Sequence, residues 1–414
     1  MSGSVIVIGG GVVGVSCAYY LSKAGWSVSL LDRATFGSGC SHGNCGLIVP
    51  SHVLPLAEPG AVRRALRGLF TSTAPLSIRP RADPALWLWL FRFAQRCNHD
   101  DMVDAGRGIK ALLDSSRSLY DELMASEPLD CEWEARGLLY VYRTRAGMEK
   151  HAATDRLVPD LLRVPANRYD GEELTIVEPA LKSGLAGGWH YPGDAHLRPD
   201  KLLRSWVRVL EQRGVLMHEG CEVHEFVTRQ RRGTAINTAK GPMTADAFVV
   251  ATGAWTPRFA RALGCRIPIQ PGKGYSITMR RPTACPTIPL LFPDHGVAVT
   301  PMQSGYRLGS ILELGGDDRG IRPERVEYLK AAASSYLVEP YCEPTREEWY
   351  GWRPMTYDGK PVIDRSPAMS NVVIAAGHNM LGLSMAPATG KLVAELLSGR
   401  LPHVEPSPYR VSRF

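Results

Sequence analysis

Three glycines near the start of the chain carry the first chemical signal. Gly9-x-Gly11-x-x-Gly14 follows the β-branched run Val5-Ile6-Val7-Ile8. In such a turn the first glycine permits the tight bend. The second lets backbone approach a pyrophosphate, and the third lets the following helix press against the strand. The N-terminus of that helix would offer N–H donors and a positive dipole end to phosphates. Asp32 comes 18 residues after Gly14 and can accept hydrogen bonds from ribose hydroxyls. An acid there favours a free 2′-hydroxyl, hence FAD or NAD rather than NADP. Next comes Ser38-Gly-Cys-Ser41-His-Gly-Asn44-Cys-Gly46, with small residues, a hydroxyl, an amide and bare backbone. It suits a chain laid along a long extended dinucleotide, which an NAD enzyme would not obviously need. A plain surface loop is the alternative.

These residues need elements to hold them. Val5–Ile8 reads as a parallel strand buried on both faces, Val15–Ala24 as a helix ended by Gly25, and Ser27–Leu31 as a second strand. Together they make one βαβ unit. Residues 60–125 read as mainly helical. Leu138–Tyr142 reads as a strand and Pro199–Arg213 as an amphipathic helix. Ala247–Ala251 and Asn371–Ala375 read as further buried strands, and 265–315 as antiparallel sheet. The last helix is expected over Met385–Ser398, closed by Gly399. Buried parallel strands thus recur at the start, near 250 and near 373, with antiparallel material between. This order predicts a nucleotide domain made of several segments and carrying an inserted sheet domain.

Composition sets the class. The chain has 414 residues, 44% hydrophobic and 21% charged, which excludes a disordered, coiled-coil or collagen-like protein. The net charge of +7 reads as short groups spread along the chain, such as Arg79-Pro80-Arg81 and Arg229-Gln230-Arg231-Arg232. No nucleic-acid motif accompanies it. A mild preference for anionic small molecules or an anionic membrane surface is compatible. The nine cysteines form no Cys-x-x-Cys pair, which reads as reduced thiols and no zinc site. Met1-Ser2-Gly3-Ser4 lacks the basic start of a signal peptide, and no apolar run is long enough to span a bilayer. The expected place is the cytoplasm, with peripheral contact at the inner membrane compatible. Trp87-Leu-Trp-Leu-Phe91 reads as a helix facing the core rather than as a membrane contact.

Several motifs in this order resemble the FAD-dependent amine and amino-acid oxidoreductases, the family of D-amino-acid oxidase, glycine oxidase and sarcosine oxidase. They are Gly9-Gly10-Gly11-Val12-Val13-Gly14, Ser41-x-x-Asn44-x-Gly46, Ala251-Thr-Gly-Ala-Trp255, Pro271-Gly-Lys-Gly-Tyr275, Gly351-Trp-Arg353-Pro and Gly377-His-Asn-Met-Leu-Gly382. The bacterial D-amino-acid dehydrogenases, including those acting on D-hydroxyproline, are the nearest group. The resemblance covers nearly the whole chain. It implies an α/β (α+β overall) fold, with a Rossmann-type FAD-binding domain and an inserted antiparallel-sheet substrate domain. The expected boundaries are 1–60, 192–260 and 350–414 for the first. The second takes 61–191 and 261–349, with a helical segment over 61–125.

The resemblance also implies roles. Gly9, Gly11, Val12, Val13, Gly14, Asp32 and Arg33 would bind the AMP half of FAD. Ser41, Asn44, Gly46 and Leu47 would line the path towards the flavin, and Val223 would meet adenine. Ala251, Thr252 and Gly253 would form a second cofactor loop. His378, Asn379, Met380, Leu381, Gly382, Leu383 and Ser384 would approach the pyrimidine end of the flavin, His378 mainly through backbone. Arg353 would clamp a substrate carboxylate, since a guanidinium fork matches it with two parallel bonds. Tyr275 would give the carboxylate a hydroxyl or wall the pocket, with a core tyrosine the equal alternative. His52 would face the substrate, with a structural histidine the alternative.

The expected reaction is oxidation of a D-amino acid or a cyclic secondary amino acid such as D-proline or D-hydroxyproline. Hydride passes from Cα to flavin N5, giving an imine and, where it hydrolyses, a 2-oxo acid. No cysteine stands in a flavin-linking context, so FAD is expected to be non-covalent. The acceptor is oxygen or a quinone or other respiratory carrier. A glycine- or sarcosine-type oxidase, an NAD-dependent dehydrogenase and a non-catalytic redox sensor are the alternatives.

Overall fold

The computed structural model describes residues 3–68, 76–79, 82–315 and 320–414. Pro80 and Arg81 of the basic group Arg79-Pro80-Arg81 lie outside these residues, as do 69–75 in the expected helical stretch.

Ser4–Ile8, Val12–Lys23 and Ser27–Leu31 form the βαβ unit, the helix starting three residues earlier than the sequence reading placed it. A six-stranded sheet grows around them. Its order is Val362–Arg365, Val372–Ala376, Ala247–Val250, Ser4–Ile8, Ser27–Leu31 and Leu216–His218. Every neighbouring pair is parallel except the first, which is antiparallel. The β-branched cores of these strands are buried from both sides. One face carries Val12–Lys23 and the last helix, Gly382–Ser398, which begins three residues before Met385. The two helices touch where Gly390 meets Ser16; a Cβ at 390 would lie 2.4 Å from Ser16 Oγ. On the other face sits an antiparallel sheet of Val223–Arg229, Arg232–Thr238 and Gly241–Thr244, with Phe226 edge-on to Phe248.

The second large sheet is mostly antiparallel. Its path runs Thr345–Thr356, Ile269–Met279, Gly305–Leu314, Val297–Met302, Leu290–Phe292, Leu138–Tyr142, Gly187–Tyr191 and Asn167–Asp170. The boundary expected at 350 falls inside Thr345–Thr356, which is hydrogen-bonded to Ile269–Met279 along its length. One face of this sheet packs on the helix Pro323–Ser334 through Tyr275, Ile277, Val326 and Leu329. The other face meets the glycine-rich stretch after Asp32.

The expected helical stretch contains Ala61–Gly68, Pro84–Gln95 and His99–Ser126, with a short strand, Leu76–Ile78, between the first two. Here the core reading of Trp87–Phe91 needs correction. Leu86, Trp89 and Phe93 are buried, but Trp87, Leu88 and Phe91 are 49%, 51% and 59% exposed. A helix apolar all round has more apolar surface than one contact face can cover. Among the described residues no helix is long and apolar enough to cross a membrane.

Candidate active site

The turn after Ser4–Ile8 is shaped by what its glycines leave out. Gly9 has φ +110°, and a Cβ there would lie 2.4 Å from the Ala251 carbonyl. A Cβ on Gly14 would lie 1.7 Å from the Gly9 carbonyl, so Gly14 serves helix–strand packing and lines no cavity. A Cβ on Gly11 would meet only Ser41 Oγ, at 3.3 Å, and otherwise enter open space. That space is a cavity of about 1010 Å³. It stands at the upper end of the roughly 300–1,000 Å³ common for small-molecule sites.

Most of the residues singled out from sequence share its wall. Gly9, Gly11, Val12, Val13, Asp32, Arg33, Ser41, Asn44, Val223, Ala251, Thr252, Gly253, Arg353, His378, Asn379, Met380, Gly382 and Leu383 all line it. Asp32 accepts from the N–H of Gly10 at 2.7 Å and of Ala34 at 2.8 Å, one on each oxygen. Each oxygen keeps a second acceptor site for a hydroxyl. The Arg33 guanidinium lies 4.7 Å from the centre of the Trp255 ring, and Arg258 lies 5.2 Å from it. This end of the cavity therefore combines an acceptor with two cations.

The stretch from Ser41 to Gly46 is held from below by the large sheet. Ser41 Oγ accepts from the N–H of Val12 at 3.0 Å, and Asn44 closes its own turn to Ser41 and Gly46. Buried Arg307 donates to the Asn44 carbonyl at 2.7 Å, Ser276 to Gly43 at 2.7 Å and Thr300 to Cys45 at 2.6 Å. Sequence reasoning missed all three residues, whose only signal was polarity inside an apolar strand. It also gave no role to Trp349, whose ring fills the space a Cβ on Gly43 or Gly351 would need. Gly46 lies outside the cavity, against the Leu197 carbonyl, and Leu47 pairs with His196 in a two-stranded ladder. Ser384 is also outside, tying the last helix to the Leu47 carbonyl and the Val49 N–H.

Arg353 stands on Thr345–Thr356, half-buried, with Nη1 donating to the Ile311 carbonyl at 2.8 Å. Cys40 and Cys45 are its neighbours, and burial lowers its pKa. No carboxylate among the described residues bridges it. Gly274, on the adjacent strand, gives it room: a Cβ there would lie 2.6 Å from Arg353 Cζ. Strand alternation then decides Tyr275. Being next to Gly274, it points to the opposite face, buried with Ile277 and Leu329. The expectation that Tyr275 meets substrate is therefore corrected: it is a core tyrosine, with Lys273 Nζ 5.2 Å from its ring centre.

His52 does not line the main cavity. It borders a small one of about 20 Å³ with Leu381, and shares Asn379 and Met380 with the main one. Its Nδ1 is 3.2 Å from Tyr140 Oη, and burial lowers its pKa. Beside it, Ser51 binds buried Asp194 through N–H at 3.0 Å and Oγ at 2.5 Å; burial pushes the Asp194 carboxyl up to about 7. His378 is pushed down to about 3 by burial and meets Thr389 Oγ1 at 3.0 Å, so it is neutral near pH 7. Asn379 has φ +53° and spends its amide on Thr356, Gly359 and Gly377, which holds the loop before the last helix. That helix has no acidic residue in its first turn, so its positive end at Gly382 and Leu383 faces the cavity uncompensated.

The glycine turn, the acid and the long cavity fit an extended dinucleotide, and residues 4–396 match the family described as FAD dependent oxidoreductase. The chain belongs to this family. FAD is therefore its cofactor. Among curated relatives, D-amino acid dehydrogenase of Methylobacterium radiotolerans is 33% identical, covering 99% of both chains. That of Granulibacter bethesdensis is 30% identical, again over 99% of both. Among solved structures, glycine oxidase from Geobacillus kaustophilus matches with TM-score 0.80 at 22% identity, covering 100% of this chain and 99% of that one. L-proline dehydrogenase from P. horikoshii matches at 0.73 and 20%, covering 100% and 98%. The family's fold thus spans both sheets.

Proposed function

We propose that the protein oxidises a D-amino acid, or a cyclic secondary amino acid such as D-proline or D-hydroxyproline, at its Cα–N bond. When bound, FAD supplies the hydride acceptor, and its electrons leave to oxygen or a quinone. In this reading Gly9, Gly11, Val12, Val13, Asp32 and Arg33 hold the AMP half. Ser41 and Asn44 hold the path towards the flavin, and Gly382 and Leu383 present the positive end of the last helix to it. The observation that carries the substrate class is Arg353. It is a half-buried guanidinium on the cavity wall, bonded to a carbonyl and bridged by no carboxylate among the described residues. Leaving such a cation without an anion costs free energy that a substrate carboxylate would recover. Trp349 and Trp352 line the same cavity and give it apolar surface. Burial keeps His378 neutral near pH 7 and makes it a weak base; in this reading the chain's own groups act on the hydride step by binding and orientation. The names of the curated relatives support the D configuration.

Anaerobic bleaching of the bound flavin tests this, using paired D- and L-amino acids, N-methylglycine and a D-amino acid with its decarboxylated amine. Wild type should prefer the acid over the amine. Arg353→Lys should lose most of that preference, roughly 2–4 kcal/mol in transition-state binding, with FAD content near normal. Full discrimination in the variant would remove Arg353 as the clamp. Repeating turnover with oxygen and with a soluble quinone identifies the acceptor.

A further inference from the structure

An α-amino acid in water carries its nitrogen as an ammonium. That nitrogen must shed a proton before its lone pair can expel hydride from Cα, and binding and orientation do not move the proton. A row of hydrogen-bonded side chains leads to the edge of the site. Ser51 Oγ donates to buried Asp194 at 2.5 Å. The same hydroxyl is a hydrogen-bond partner of Tyr140, and Tyr140 Oη lies 3.2 Å from His52 Nδ1. Asp194, Ser51, Tyr140 and His52 thus form an unbroken row drawn from three separate segments.

The bonds in this row have a direction. Ser51 has one proton and gives it to ionised Asp194, so it can only accept from Tyr140. Tyr140 likewise has one proton and spends it on Ser51, so it accepts from His52 Nδ1–H. That fixes the tautomer and leaves Nε2 as a bare acceptor. His52 and Met355 border the small cavity of about 20 Å³, enough for one water. Met355 stands two residues after Arg353 on one regularly paired stretch of strand, so the two share a face, roughly 6.5–7 Å apart. Asn379 and Met380 line both cavities. A carboxylate on Arg353 therefore sets the substrate beside the small cavity, where direct contact or one water suffices for proton transfer to His52.

We propose that His52 is the proton acceptor for the substrate ammonium, with Tyr140, Ser51 and Asp194 as positioning residues that hold its tautomer. An N–H bond of the ammonium breaks and an Nε2–H bond forms. The electron pair of the broken bond stays on the substrate nitrogen and forms the C=N bond as hydride leaves Cα. The imidazolium returns its proton to solvent once product has left. Burial lowers the pKa of His52, so the ring is neutral before the transfer, and the carboxylate at the far end of the row favours the imidazolium once it forms. Burial also pushes Asp194 up to about 7, so the row is set above that pH and slackens below it. Arg117, facing Asp194 from His99–Ser126, favours the ionised form. Tyr191 and His151 stand 5.1 and 5.7 Å from the Tyr140 ring, but they are bonded to each other at 2.8 Å, with Asp155 acting on both, and stay outside the row. This role rests on the amino-acid substrate proposed above.

The test is the pH dependence of anaerobic flavin reduction in the FAD-loaded protein, using the amino acid that bleaches wild type fastest. The wild-type rate should rise through about pH 7 and level off below the pKa of the free substrate ammonium. His52→Gln should be roughly tenfold slower or worse at pH 7, keep rising to that ammonium pKa, and there approach the wild-type rate. Tyr140→Phe, which keeps the ring and removes the hydroxyl, should show the same recovery from a smaller loss. Flavin absorbance should be unchanged in both. A loss equal at every pH would make these residues merely structural and overturn the proposal, as would unchanged profiles. If no amino acid bleaches wild type, the substrate reading fails and this role with it; bleaching with unaltered variant profiles sinks the role of His52 alone.

Discussion

Gly274 and Arg353 compete for one space. An alanine methyl at 274 would sit 2.6 Å from the guanidinium carbon, so Gly274→Ala must push the fork off its position. The expected outcome is weaker substrate binding by roughly 1–3 kcal/mol, the usual cost of overpacking, with FAD content retained. Anaerobic titration of flavin bleaching measures it. Asp194 gives a second prediction at this scale. Unfolded, an aspartate titrates near 3.9; folded, this carboxyl titrates near 7 because burial disfavours its charge. Between those values the folded state holds a proton that the unfolded state has released. Stability should therefore fall as pH rises from about 4 to about 7 and stay reduced above that. At about 1.4 kcal/mol per unit the loss is of order a few kcal/mol. Asp194→Asn should flatten the decline. Urea midpoints at about pH 5 and about pH 8 would show it; an unchanged slope in the variant would assign the decline to other groups.

The Ser41–Gly46 stretch has no helix or strand of its own, so beyond the turn that Asn44 closes its shape leans on three side chains of the sheet beneath it. Arg307→Met keeps the bulk and removes the bond to the Asn44 carbonyl. FAD should then bind more weakly by roughly 1.5–3 kcal/mol, the range for a bond to a charged group, as measured by equilibrium dialysis. What could be read at this scale from sequence follows from periodicity. Val5–Ile8, Ser27–Leu31 and Leu138–Tyr142 are short apolar runs between turn residues, and their limits were legible to within a residue. The direction of Tyr275 was not legible. Its strand is buried on both faces, one against Pro323–Ser334 and one against the Ser41–Gly46 stretch, so hydrophobicity does not alternate along it. The exposed side of Pro84–Gln95 was hidden for a similar reason, since a helix apolar all round does not announce which side is covered. Gly382 looked like loop because glycine is a poor helix former, yet it starts the last helix at the cavity wall.

At the scale of the whole molecule, the cavity wall draws on residues from Ile8 to Leu383. A ligand held by so many separated segments binds the folded chain alone. FAD at about a hundred times its dissociation constant should therefore stabilise by about 2.7 kcal/mol. A rise in melting temperature on adding FAD to the stripped protein reads this directly. Acid precipitation should leave the yellow colour in the supernatant, since no covalent tether is expected; colour kept in the pellet would contradict that. The same arrangement governs biosynthesis. The glycine turn and Asp32 emerge from the ribosome first, while Val372–Ala376 and Gly382–Ser398, which complete the sheet and cover the turn's helix, emerge last. The nascent chain must reach residue 250 before its first strand gains the partner at Ala247–Val250, and must reach Gly382–Ser398 before its first helix is covered by that helix. Cofactor loading is then a late, post-translational step, and the early segments are the part of the chain with the longest need of chaperone cover.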